Sequence, residues 1–158
     1  MKASRIKGFT IVELIIVFAV IALLMALIIP TLNKFREEQA LRNAGEDILS
    51  LLNEARFDTQ ASLNSSNYSV YIESNQATYF VGSTYSSTAS TNKRITFNSA
   101  VTVPSSGISL AGGGSTITFN RLAGDTANYG TIRIQLVSDS SRYKTILISN
   151  TGAVSSNN

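Results

Sequence analysis

Glu13 is the only charged side chain between Lys7 and Lys34, and it sits in an apolar run, "GFTIVELIIVFAVIALLMALII". A carboxylate at the centre of a membrane-spanning helix costs about 2.5–3.5 kcal/mol on insertion scales. It becomes tolerable when a cation pairs with it and hydrogen bonds satisfy its oxygens. Other reactive groups are scarce. The 158 residues include no His and no Cys, which removes the commonest general base, the thiol nucleophile, disulfides and thiolate metal sites. Catalysis would have to use carboxylates, Lys, Tyr or Ser. Beyond residue 62 the only acids are Glu73, Asp125 and Asp139, far apart in sequence. "AGGGS" (111–115) lacks the Lys and helix of a phosphate-binding loop. Asp125 in "GDTANYG" has no neighbouring carboxylates with which to hold calcium. The sequence therefore predicts no enzyme, no catalytic residue, no metal and no cofactor.

The elements around Glu13 read as a membrane segment. Residues 1–8 are short and basic, and Lys2, Arg5 and Lys7 account for the whole formal charge of +3, because the remaining ten basic residues balance the ten acids. Residues 9–29 form a helix of about 31 Å at 1.5 Å per residue, matching the hydrocarbon thickness of a bilayer. The basic leader would remain on the cytoplasmic side, with the C-terminal body outside. A conventional cleaved signal fits poorly, since the apolar core is too long and "PTLNKFREEQ" follows without a small-residue cleavage site. At Pro30 the helix loses one backbone bond and is expected to kink. Apolar residues then recur at three- and four-residue spacing: Leu32, Phe35, Leu41, Ala44, Ile48, Leu51, Leu52 and Ala55. That stripe predicts an amphipathic continuation to about residue 61 which needs a sheet to cover it.

"KGFTIVELI" resembles the leader junction of type IV prepilins and type II secretion pseudopilins. The resemblance implies cleavage after Gly8 by a prepilin peptidase, N-methylation of the new terminus Phe9, and Glu13 as the acid of the motif. It also implies that Glu13 pairs with the Phe9 amine of a neighbouring subunit in a filament. A contact of Glu13 with its own helix N-terminus is the alternative, favourable to the dipole by about 0.3–1 kcal/mol.

Beyond residue 62 the hydrophobic period changes to two. "YSVYIE" (68–73) and "ATYFVG" (77–82) read as a hairpin. "STYSSTASTN" (83–92) reads as an exposed loop. "RITF", "VTV", "ISL" and "TITF" are short strands. "TIRIQLV" (131–137) and "YKTILIS" (143–149) form a second hairpin, with Ile132, Ile134 and Leu136 on one face. The inward set of the second strand is ambiguous among Tyr143, Ile146, Leu147 and Ile148. "NTGAV" turns into a short final strand. The predicted fold is α+β and pilin-like: one long helix, transmembrane then amphipathic, packed on an antiparallel body of about seven or eight strands. Its parts are a leader (1–8), a membrane or filament-core helix (9–29), the amphipathic half (30–62) and a β-rich body (63–158). The strand order, "ITFNRLAG" and "ISNTGAV" resemble the H-type pseudopilins and related minor pilins.

The resemblance implies a structural subunit, minor pilin or pseudopilin, first in the cytoplasmic membrane and then in a filament at the cell surface or in the periplasm. Its implied partners are other pilin subunits, a peptidase-methyltransferase, an assembly platform and its ATPase, and the lipid bilayer. Two alternatives remain. One is a DNA-capture or adhesive tip, for which Arg121, Arg142 and Lys144 would have to share a basic patch that meets phosphates. The other is an anchored β domain that does not assemble.

Overall fold

The computed structural model describes residues 8–157, without the side chains at positions 27, 28 and 30. The leader cations Lys2, Arg5 and Lys7 lie outside the described residues. Helix α1 spans Ile11–Gln60. It passes through position 30 rather than stopping there; the kink assigned to Pro30 falls on a side chain outside the described residues. The chain divides into two compact units, one ending at Arg36 and one from Glu37 onward.

In the first unit the described large apolar side chains have no cover. Phe9 is 82% exposed and Leu23 65%, and α1 is long and apolar enough to cross a membrane. Leu32 and Phe35, expected on the buried stripe, are also exposed. The stripe begins at Leu41, where the second unit supplies sheets to cover it.

That second unit holds two antiparallel sheets. β1 (Tyr68–Ile72), β2 (Gln76–Val81), β3 (Lys93–Thr96) and β6 (Thr116–Thr118) form one, in the order β3-β2-β1-β6. β4 (Val101–Thr102), β7 (Gly130–Leu136), β8 (Tyr143–Ile148) and β9 (Val154–Asn157) form the other, in the order β4-β7-β8-β9, and β5 (Ile108–Leu110) also pairs with β7. The described residues hold nine strands, against an expected total of about seven or eight. Leu41, Ala44, Ile48, Leu51, Leu52 and Ala55 of α1 join Val70, Ile72, Ile117, Ile132, Ile134, Ile146 and Ile148 in one core. Burying each such side chain contributes roughly 1.5–3 kcal/mol.

Register resolves the ambiguity on β8. Ile132 lies opposite Ile146 and Ile134 opposite Lys144, so 144, 146 and 148 face inward. Leu147 points out and is 49% exposed. The long aliphatic stem of Lys144 suits an inward position at the edge of the core. It passes Gly45 on α1, where an added Cβ would lie 3.3 Å from Lys144 Cδ.

The first sheet is covered on both faces. Segment 83–92 is exposed along most of its length but folds its Tyr85 ring back over the outer side. Tyr85 stacks on Tyr71 at 4.3 Å and meets the edge of buried Phe80 at 5.4 Å. Such aromatic pairs contribute about 0.5–1.5 kcal/mol beyond area burial.

The end of α1 is fastened by polar bonds. The buried Thr59 hydroxyl accepts a hydrogen bond from the Tyr68 amide at 2.9 Å. Arg56 donates to the carbonyls of Gly124 and Thr151, each at 3.3 Å, and Gln60 donates to the Ala123 carbonyl at 3.3 Å. The two loops approach closely here. Gly152 has φ +76°, and a Cβ on it would lie 1.9 Å from the Gly124 carbonyl oxygen, so no L side chain fits without moving backbone.

Candidate assembly site at the helix start

Thr10 precedes the first residue of α1 and caps it. The Glu13 amide donates to Thr10 Oγ1 at 3.2 Å, and the Thr10 amide donates to Glu13 Oε2 at 3.5 Å. The Leu14 amide donates to the Thr10 carbonyl at 3.2 Å. This reciprocal pattern is a capping box, Thr-x-x-Glu, in which each side chain satisfies an amide left free by the first helical turn. The four-residue signal is present in the sequence, but the apolar run around it points to the charge of Glu13 and not to its capping role. Both bonds are solvent-exposed. Among the described residues no cation pairs with Glu13, so the chain caps the carboxylate but does not neutralise it. Gly8 lies in open space: a Cβ added there would meet nothing within 4 Å. The fold itself places no demand for glycine at that position.

Phe9, Thr10 and Glu13 thus come together with Gly8 at one exposed end of an apolar helix. The three basic candidates do not come together. Arg142 pairs with Glu38 on α1, and Lys144 lies beside Gly45. Arg121 instead donates to the Ser65 carbonyl at 2.8 Å, past the far end of α1. Residues 38 and 60 are roughly 33 Å apart along a helix. The shared patch that a DNA-capture tip would need is therefore not formed by these three, which lie at two separate locations. The other body cations are also engaged: Lys93 with Glu54 at 2.6 Å, Arg94 with the Ser87 carbonyl, and Arg133 with the Tyr143 ring at 3.9 Å.

The three body acids each organise a local turn. Asp125 accepts from Asn120 Nδ2 at 2.9 Å, and Glu73 accepts from Gln76. Asp139 accepts from the Ser141 amide at 3.0 Å and its hydroxyl at 2.6 Å; these bonds hold its carboxyl below the usual carboxylate range. Among the described residues no three acids gather to hold a metal.

A helix with this capped, acid-bearing start, followed in the chain by a two-sheet antiparallel body, is a pilin-like fold. Residues 3–29 match the prokaryotic N-terminal methylation motif. The fold is similar to that of the type IV minor pilin FimU of Pseudomonas aeruginosa strain PAO1, solved in two crystal forms. One gives a TM-score of 0.57 at 15% identity, covering 75% of this chain and 93% of that one. The other gives 0.58 at 15% identity, covering 78% and 92%. No curated protein matches the chain in sequence. The motif match covers the start of the chain, and the likeness to FimU is one of fold.

Proposed function

We propose that this chain is a pilin-type structural subunit, a minor pilin or pseudopilin, that is built into a filament through α1. The leader 1–8 is removed after Gly8 by a prepilin peptidase, and Phe9 is N-methylated. Residues 9–29 hold the chain in the cytoplasmic membrane, N-terminus inside, until assembly moves them from lipid into the filament core. The amphipathic half (30–62) carries the β body (63–158) on the outside, and Pro30 allows a bend between the two halves. The observation that carries this reading is Glu13: capped, exposed and, among the described residues, without a cation of its own, at the start of a helix whose large apolar side chains from Ile11 to Met25 are uncovered. Large uncovered apolar surface belongs in lipid or against other chains. Glu13 needs a cation from outside the described chain, and the α-amine that cleavage exposes at Phe9 of a neighbour supplies one. The open surroundings of Gly8 support a glycine chosen for a peptidase rather than for this fold. Platform protein and ATPase follow from the same class of machine.

The test is intact mass of the chain recovered from sheared surface fibres and from membranes. Loss of residues 1–8 together with one added methyl group is the expected result. A chain found only in membranes, at full length, would overturn the reading and leave an anchored β domain.

A further inference from the structure

Helix α1 carries many charges from residue 37 onward, and most have partners inside the chain. Glu37 accepts from Ser138 at 2.8 Å, Glu38 pairs with Arg142 and Glu54 with Lys93. Arg56 is held by two carbonyls, and Asp58 accepts from Tyr79 at 2.5 Å. Arg42 and Glu46 are different. Both are exposed on the side of α1 opposite buried Leu41, Ala44 and Ile48. Among the described residues neither forms an ion pair. They are four residues apart, but with the cation N-terminal to the acid, the weaker orientation for a pair within one helix. Glu46 instead stands beside another acid. Half-buried Asp47 has its carboxyl pushed up, first by burial and then by the Glu46 charge.

We propose that Arg42 of one copy pairs with Glu46 of the next copy in the filament. This rests on the filament reading above. The occupant is a second copy because the pattern is self-complementary: a cation at one position and an acid four residues later. The same order and spacing separate the Phe9 amine from Glu13. Sliding one parallel helix past another by four residues, about 6 Å, sets Glu46 of one copy level with Arg42 of the next. A head-to-tail contact of this kind does not close on itself and propagates. Lys34 and Glu38 share the spacing, but Glu38 is already taken by Arg142.

The chain has no cysteine, so the contact can be read by cross-linking. Full-length Arg42→Cys and Glu46→Cys chains are co-expressed in cells that assemble the wild type, and sheared fibres are oxidised. Disulfide-linked dimers are expected with both chains present and with neither alone. In a second arm, Arg42→Glu and Glu46→Arg each lower fibre yield roughly fivefold, the upper range for an exposed pair. Co-expressing the two reversed chains restores it, since alternating copies again face opposite charges. A pair confined to one chain would not be rescued by mixing, and that result overturns the proposal. So do wild-type yields of fibres without cross-links. If the wild type forms no fibres at all, the filament reading falls and takes this contact with it.

Discussion

Glu13→Gln and Thr10→Val, made separately in the full chain, separate two uses of one side chain. Gln at position 13 can still accept from the Thr10 amide, since Glu and Gln both serve in a capping box, but it carries no charge. Val at position 10 removes the hydroxyl acceptor and leaves the charge. The cap is weak in this structure. Its bonds are 3.2 and 3.5 Å, longer than the usual 2.9–3.0 Å for N–H···O bonds, and exposed, so its loss costs about 0.5 kcal/mol, the low end for such caps. That is a factor of about two. The pairing proposed above would be worth more. Under it, removing the charge would leave a neighbour's amine unpaired in an apolar core, at about 3–5 kcal/mol, which is more than a hundredfold for each subunit added. The assay compares sheared fibres with the inserted, cleaved pool in the same cells. Glu13→Gln is expected to abolish fibres while insertion and cleavage persist, and Thr10→Val to stay within about twofold of wild type. Normal fibres from Glu13→Gln together with loss in Thr10→Val would refute the pairing account and leave the cap as the function of Glu13.

Two further outcomes concern the body, whose whole core lies within 37–158 and which can be studied in that form. The Tyr79 phenol is pushed above its ordinary value, first by burial and then by its hydrogen bond to Asp58. Its neutral form therefore favours the folded state: that contribution is complete below pH about 10 and is lost as pH rises beyond it. The denaturant midpoint should fall more shallowly above pH 10 in Tyr79→Phe than in wild type, and equal slopes would contradict this. On β8, Ile146→Ala should cost about 2–5 kcal/mol and Leu147→Ala less than about 0.5 kcal/mol in urea titration; similar costs would mean the register is misassigned.

Elements with a clean period were legible in the sequence. β7 alternates apolar and polar residues, and Ile132, Ile134 and Leu136 all face the core. β8 was legible as a strand but its inward face was not, because Leu147 is apolar on the solvent face, and only pairing to β7 decides which residues point in. β4 has two residues and β9 reads "VSSN", yet both fall where short strands are read, at "VTV" and after "NTGAV"; the segments were legible and only their total was set low. Tyr85 hid in a polar stretch, since nothing local says that a loop will turn back onto a sheet. The stripe on α1 extends in sequence to Leu32, but burial depends on where the sheets end, which spacing does not encode. Whether the basic trio shares a patch was illegible for a similar reason: the partner of Arg142 lies 104 residues away, beyond any local pattern. At the candidate site the motif was plain in the residues, whereas the weakness of the cap and the lack of a paired cation among the described residues needed geometry.

The fastening at the end of α1 has a mechanical consequence. Arg56, Thr59 and Gln60 tie one helical turn to the first sheet and to two separate loops. A tensile load along the helix would meet these ties side by side rather than one after another. They would share the force, and the sheets and loops would hold to this turn of the helix until several bonds yielded together.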